Sequence, residues 1–246
     1  MVTAALAVDW NTPEMLRRAI QSSRRFDPHL RWVVFKNHHP DHPQVPDDVE
    51  TIVWPTNVGH GAGINHAARR AWDLWRPDWF FVVNPDVVWI EPVVSKMEAF
   101  LSARPDVFAV GPKQVDSKWR ITAAGIFGTN ERPQHRFWHR HDPKNVLARD
   151  LVESVTLAGS AFLCDAVDFF GFGGMLESHH YYSETWLMYH ARAHGKKVFY
   201  WGEPVMIHEW HQSSPIGYPG TDGKMAEDRE LFRRMCDEHD PPIARD

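Results

Sequence analysis

Cysteine is scarce in this chain. Cys164 and Cys236 are the only two among 246 residues, they lie far apart, and each falls in a segment of buried or helical character. A disulfide framework is therefore not expected, and a reducing compartment, the cytoplasm, is the simple reading. Long apolar runs are missing as well: none approaches the roughly 20 residues that span a bilayer. The stretch from Met1 to Val8 is apolar but has no basic leader and is too short for a signal peptide. Positive charge is not in excess, since 27 Lys and Arg stand against 32 Asp and Glu. The net charge of −5 leaves no overall footprint for nucleic acid or an anionic membrane. No Gly-Lys-Ser/Thr follows a glycine-rich turn, which excludes a P-loop, and the glycine spacing departs from the dinucleotide fingerprint.

What is present is ordinary in bulk, with 43% apolar and 24% charged residues in a length that suits one α/β domain. Twelve Trp and sixteen His stand out. They suit a cleft that uses flat aromatic faces and imidazoles, although buried Trp also serves a core. Continuous apolar runs at Val2–Val8, Arg31–Phe35, Thr51–Trp54, Trp79–Val83 and Val107–Val110 predict buried strands. Helices are expected from Thr12, as N-cap to Pro13, to about Arg25, over Ala62–Trp75, and from about Pro92 to Ala103. This alternation implies a mostly parallel central sheet with helices on both faces. The second half is less regular. Residues 126–150, rich in His, Arg and Pro, read as a long loop or lid-like excursion. Val155–Cys164 reads as a strand, Glu184–His194 as a helix ended by Gly195, Lys197–Trp201 and Val205–His208 as two strands, and Asp222–Glu238 as a C-terminal helix.

Four groups of residues have chemical potential. Asn84-Pro85-Asp86 follows the strongest strand, and ligands of open α/β sheets sit at strand carboxyl ends. A carboxylate there can take Mn²⁺ or Mg²⁺, which in turn takes diphosphate oxygens; the same three residues also make an ordinary turn. Asn57-Val58-Gly59-His60-Gly61-Ala62-Gly63-Ile64-Asn65 lies between strand and helix, where glycines let backbone amides approach a ligand; a flexible turn with a helix cap is the alternative. Glu184 at a helix start is held as an anion by the helix dipole and suits a general base, or plain first-turn chemistry. His208, in His208-Glu209-Trp210-His211, is a single candidate metal ligand at the cleft rim. The two His of that run are spaced wrongly for a zincin helix.

The order of these groups, more than any one of them, resembles the family 2 glycosyltransferases with a GT-A fold, most closely the bacterial rhamnosyltransferase-like branch. The likeness covers roughly residues 3–215. Asp9-Trp10-Asn11-Thr12-Pro13-Glu14 resembles the first-strand exit where the nucleotide base sits. Asn57 to Asn65 is similar to the Asn- and Gly-rich segment, and Phe81-Val82-Val83-Asn84-Pro85-Asp86-Val87 to the metal motif. Arg104-Pro105-Asp106-Val107 to Pro112 resembles the stretch after it. Gly159-Ser160-Ala161-Phe162 resembles the acceptor side of the cleft, and Phe172-Gly173-Gly174 with Tyr182-Ser183-Glu184 stand where the family has its Gly-Gly and catalytic-base motifs. His208 stands where many members have a metal- or diphosphate-contacting His. Two departures are visible. Lys36-Asn37 replaces the usual Asp-Asn after the second strand, leaving Asn37 with Asp41 or Asp9 for the nucleoside, and the acidic pair is reduced to Ser183-Glu184-Thr185.

The resemblance implies one glycosyltransferase domain over 1–246. Residues 1–112 would bind the donor, 113–215 would hold the acceptor and catalytic groups, and 216–246 would be a helical tail. It implies an inverting transfer from a nucleoside-diphosphate sugar, with Glu184 as base. Asp9, Asn11, Asn37, Asp41, Asn57, Gly61, Gly63, Asn65 and Asn84 would contact the donor. Gly159, Ser160, Tyr182 and Trp210 would contact the acceptor, and Asp86 and His208 would hold Mn²⁺ or Mg²⁺. The His- and Arg-rich stretch from Phe127 to Arg149, with Tyr181 and Trp210, offers an acceptor platform. The acceptor itself, whether glycan, lipid-linked sugar, protein or nucleic acid, is left open. Two rivals share the scaffold. A sugar-1-phosphate nucleotidyltransferase would need Gly and Lys after the first strand, which Asp9–Glu14 lacks. A non-catalytic nucleotide- or carbohydrate-binding module would bind donor without transferring sugar.

Overall fold

Runs of Val, Ile, Phe and Ala without polar interruption form strands buried on both faces, and between them amphipathic segments with one apolar stripe cover the sheet. The computed structural model describes residues 1–37, 45–129, 132–177, 181–209 and 221–238. In chain order the elements are β1 (Thr3–Asp9), α1 (Pro13–Phe26), β2 (Arg31–Asn37), β3 (Glu50–Trp54), α2 (His60–Trp75), β4 (Trp79–Val83), β5 (Val87–Trp89), α3 (Val94–Ser102) and β6 (Val107–Val115). There follow β7 (Ile121–Ala123), β8 (Ile126–Thr129), β9 (Arg132–His135), β10 (Leu151–Glu153), β11 (Ala161–Asp165), α4 (Ala166–Gly171), α5 (Ser183–Ala193), β12 (Lys197–His208) and α6 (Thr221–Glu238).

The central sheet runs β10-β12-β6-β11-β4-β1-β2-β3, with β5 on β12 and β7 on β6. The strands β3, β2, β1 and β4 are parallel. The late strand β11 enters antiparallel between β4 and β6, pairing Ala161 with Val83 and Leu163 with Val110. One apolar layer, with Leu6, Ile64, Phe80, Phe108 and Leu187, lies on the α2 and α5 face. The other, with Leu16, Trp32, Phe81, Trp89, Met97 and Leu101, lies on the α1 and α3 face. Helices thus cover both faces of the α/β sheet, as expected.

Several details differ from the sequence reading. Only Ala161–Asp165 of the expected strand Val155–Cys164 is extended in the sheet, because residues 155–160 turn back to carry site groups. The two expected strands at 197–208 are one, β12, with a register shift between Trp201 and Val205. That shift lies beside Pro112, which has no amide hydrogen for the ladder. Thr12 stands at the N-cap of α1 but makes no side-chain cap; its hydroxyl donates to Asp9 Oδ1 instead, at 3.0 Å.

The excursion at 126–150 is not a free loop. It contains the hairpin β8–β9 and leads into strand β10, and it is pinned from below. The fully buried Lys113 ammonium donates to Asp142 Oδ2 at 2.5 Å, Asn145 Oδ1 at 2.8 Å and the Leu147 carbonyl at 2.6 Å. All three ammonium protons therefore have acceptors, which is the condition for burying a charge without large loss. The Asp142 carboxyl, beside that ammonium and accepting from the Val146 and Leu147 amides, titrates below the usual carboxylate range despite its burial. Tyr200 adds a hydroxyl donated to the Ala148 carbonyl at 2.6 Å.

Candidate active site

The site forms where β4 ends beside the start of β11. Leaving β4, Asn84 donates its amide to the Ser160 carbonyl at 2.9 Å, and Pro85 turns the chain so that Val87 closes on the Asn84 carbonyl at 3.2 Å. The turn predicted from Asn-Pro-Asp is therefore real, and it places Asp86 at the carboxyl end of the sheet. The Asp86 carboxylate Oδ1 lies 3.4 Å from His208 Nε2, and both side chains are 7% exposed. His208 ends β12, held there by its pairing with Val87 of β5. The His208 Nδ1 atom is buried with no hydrogen-bond partner among the described residues. A buried carboxylate and a buried imidazole whose Nε2 faces it fit two ligands of a divalent ion. Among the described residues no third His, Cys, Asp or Glu joins them.

A cavity of about 240 Å³ opens beside this pair, lined by Met15, Arg18, Pro85, Asp86, Val88 and Glu209. Glu209 is tied to the site by its amide, which donates to the Asp86 carbonyl at 3.1 Å. Met15, Arg18, Val88 and Glu209 were not singled out in the sequence. The amphipathic spacing of α1 marks Arg18 as outward-facing, but not that its neighbour across the cavity is Asp86.

The second carboxylate lies one residue beyond the Ser160 contact. Gly159 approaches the Glu184 side chain so closely that a Cβ there would meet the carboxyl carbon at 2.8 Å. Only glycine fits. Burial pushes the Glu184 carboxyl above its ordinary 4.5, opposed by hydrogen bonds from its own amide, the Ser183 hydroxyl and the Gly159 amide. Such a group is a stronger base than an ordinary glutamate. Ser160 in turn donates its hydroxyl to Gln114 Oε1 at 2.6 Å, so Gln114 of β6, also missed in the sequence, orients the same short loop.

The predicted donor contacts divide into two groups. Asp9 is 3% exposed at the end of β1 and accepts from the amide and hydroxyl of Thr12, shaping the start of α1. Asn11 beside it is exposed in a left-handed conformation, and Asn57 is exposed on the loop before α2. Asn37 is spent inside the fold: its amide donates to Asn57 Oδ1 and the Gly59 carbonyl, and its oxygen accepts from the Val58 amide. Gly59, at φ +88, lets this loop turn into α2.

Asn65 requires a correction. It is 4% exposed and clamps α2 to the loop before α5, donating to the Met175 carbonyl and Glu177 and accepting from the Met175 amide, each at 2.8 Å. Its donors are used and it has no free amide for a ligand. Gly61 and Gly63 lie inside α2, where they let the helix approach Leu176 and Ser183, and Val8 and Phe35, respectively. Packing accounts for both. Asp41 and Trp210 fall outside the described residues.

Tyr182, expected at the acceptor, is taken up by α6. Its ring stacks on Phe232 with centroids 5.3 Å apart, and its hydroxyl accepts from Arg229 Nε at 3.1 Å. Asp228, buried on α6, accepts the Tyr181 amide at 3.0 Å. Tyr182 has φ +68, a left-handed conformation costly for a residue with a side chain, directly before the helix that carries Glu184. Contacts with α6 offset that cost. Phe232→Ala is expected to lose about 3–5 kcal/mol of local packing. Hydrogen exchange should then accelerate at residues 181–186 while the sheet keeps its protection; unchanged exchange there would show that α6 does not hold this turn.

No family model and no curated protein matches the chain by sequence. Solved structures do match by shape. One is a mannosyltransferase, PcManGT from Pyrobaculum calidifontis, in complex with GDP-Man and Mn²⁺, at TM-score 0.64 and 12% identity, covering 96% of this chain and 64% of that one. Another is GalNAc-T7 with UDP, GalNAc and Mn²⁺, at TM-score 0.63 and 12% identity, covering 87% of this chain and 46% of that one. The chain thus spans about half to two thirds of the length of these proteins. Among the described residues no helix is long and apolar enough to cross a membrane. With β11 inserted antiparallel beside β4 and the acidic turn at the β4 end, the chain has the fold of the GT-A glycosyltransferases.

Proposed function

We propose that this protein transfers a sugar from a nucleoside-diphosphate donor to an acceptor hydroxyl, with inversion at the anomeric carbon. One observation carries the reading: Asp86 and Glu184 are joined through a single short loop, Asn84 bonding Ser160 while Gly159 packs on Glu184. A candidate metal ligand and a candidate base tied to one loop suit the two tasks of such a transfer, holding the leaving group and activating the nucleophile. The solved structures of similar shape hold nucleotide or nucleotide sugar with Mn²⁺, which supports the same donor chemistry here.

In this reading residues 1–112 bind the donor and 113–215 supply the base and the acceptor side. Asp86 and His208 would hold a divalent cation, which when bound would offset charge on the departing diphosphate. Asp9, Asn11 and Asn57 line the way to the nucleoside. Arg18, across the cavity from Asp86, faces the phosphates. Glu184, its carboxyl raised by burial, takes the acceptor proton, and Gly159 leaves it room while its amide steadies the anion. A likeness to the family 2, rhamnosyltransferase-like branch fits the motif order and belongs to the same proposal.

The test is a thermal-shift screen with uridine, thymidine, guanosine and cytidine diphosphate sugars, with and without Mn²⁺. A binder at a hundred times its Kd stabilises by about 2.7 kcal/mol. At least one donor should raise Tm only with metal, and slow metal-dependent release of free sugar should accompany it. Binding without any release would favour the non-catalytic module, and no binding of any donor would overturn the reading.

A further inference from the structure

The charge of the chain is unevenly placed. Residues 113–149 hold eight Lys and Arg against three Asp and Glu, a net +5, while the whole chain carries −5. The remainder is therefore at −10. Among the described residues of this stretch, Lys113 is buried and neutralised by Asp142, Arg120 pairs with Asp116, and Arg136 pairs with Asp150. Arg140, Lys144 and Arg149 are exposed and have no carboxylate partner among the described residues. Uncompensated cations gathered on one excursion of an acidic protein create a local field that attracts anions.

The excursion also presents flat rings between those cations. The Arg136 and Arg140 guanidinium carbons lie 4.9 and 5.8 Å from the Phe137 ring centre, one cation to each side of it in sequence. Trp138 packs on His135 at 4.5 Å and on His139 at 4.7 Å. Backbone strain is concentrated in the same place. Trp119, Phe137, His139, Asn145 and Ala148 all have positive φ, five of the eight such non-glycine residues among those described. Strain of this kind persists only where the surroundings enforce it, and it gathers at binding sites. Here the enforcement is visible: the three acceptors of Lys113 and the Tyr200 hydroxyl hold 142–148 in place.

This surface leads to the base. The Val155 amide bonds the Ile126 carbonyl at the foot of the hairpin, and Ser154 bonds Ile126 from both sides. Four residues beyond Val155 comes the Gly159 that packs on Glu184. Thr156 in addition reaches Thr185 at 3.5 Å, next to Glu184.

We propose that the acceptor is an anionic saccharide, one bearing carboxylate, phosphate or sulfate groups, and that the surface of residues 136–149 binds it. Arg140, Lys144 and Arg149 meet the charged groups, and Trp138, beside the core-packed Phe137, receives an apolar sugar face. The assignment of acceptor rests on the glycosyltransferase reading; the anion preference of the surface does not, and can fail separately.

The experiment measures binding of the full chain to dextran sulfate and to unsubstituted dextran of equal size, by calorimetry at low and at physiological salt. Dextran sulfate should bind, more weakly as salt rises, and plain dextran should bind at least tenfold more weakly. The triple variant Arg140→Glu/Lys144→Glu/Arg149→Glu should lose at least tenfold in dextran sulfate affinity. Its affinity for nucleoside diphosphate with Mn²⁺ should stay as in the wild type. Equal binding of both dextrans, or an unchanged affinity in the triple variant, would overturn the proposal. So would tighter binding to phosphatidylglycerol vesicles or to an oligonucleotide than to dextran sulfate, which would assign the surface to a membrane or to nucleic acid. Dextran sulfate binding in a protein that binds no nucleotide would leave the anionic surface standing and remove the transferase reading alone.

Discussion

Glu184→Gln is expected to bind donor as the wild type does and to transfer sugar about 10²- to 10⁴-fold more slowly, the range that one positioned base supplies. The amide has the same shape and still accepts from the Gly159 amide, so the loop between the two carboxylates stays in place; only the capacity to take a proton is lost. Single-turnover rates at saturating donor, beside donor affinity by titration, separate the two. A variant that still transfers at the wild-type rate would remove Glu184 from the mechanism. The pH dependence gives a second reading of the same group. Because burial holds the carboxyl above 4.5, the acid limb of kcat/KM should fall at a higher pH than an ordinary glutamate allows, and it should vanish in residual activity of the variant. Stability should move in the opposite sense. A carboxyl whose folded value is raised favours folding below its unfolded value and loses that contribution as pH rises through the folded one. Burial makes ionisation of Glu184 costly, so the Tm of Glu184→Gln should gain on that of the wild type as pH rises.

Asp86→Ala should reduce nucleoside diphosphate affinity in Mn²⁺ to the value measured in EDTA, a loss of about a hundredfold or more if a hard-ion contact to diphosphate contributes several kcal/mol. The weaker metal-free binding, through Arg18 and the nucleoside contacts, should persist. His208→Ala removes the other candidate ligand and should lose less, because the carboxylate brings charge as well as a lone pair. Equal affinity of Asp86→Ala and wild type in Mn²⁺ would dismiss the metal assignment while leaving the Glu184 result to be judged on its own.

How much of this was legible beforehand depended on whether the cause was local. The strand Trp79–Val83 and the turn at Asn84-Pro85-Asp86 are written in neighbouring residues, apolar run then punctuation, and both stand where expected. So does the start of α5 at Ser183, beside Glu184. Asn65 misled because its partners, Met175 and Glu177, lie more than a hundred residues away; an asparagine in a glycine-rich loop looks the same whether it holds a ligand or a loop. Tyr182 misled for the same reason, its partners being on α6. The hairpin β8–β9 was hidden by Pro, His and Arg, which mask alternation, and β5 is only three residues long. The collapse of Val155–Cys164 to a shorter strand reflects the need of Gly159 and Ser160 to serve the site, a demand no propensity records.

The insertion of β11 has a consequence for how the protein comes into being. A nascent chain that has reached Val83 has its first four parallel strands, but the outer edge of β4 stays bare until Ala161–Asp165 emerges, some eighty residues later. Such an edge is a template for wrong partners. The same pairing that closes it, Ala161 with Val83, also sets Gly159 and Ser160 against Glu184 and Asn84. Synthesis therefore covers the β4 edge before the crevice is complete, because Glu184 on α5 and His208 at the end of β12 emerge only after β11.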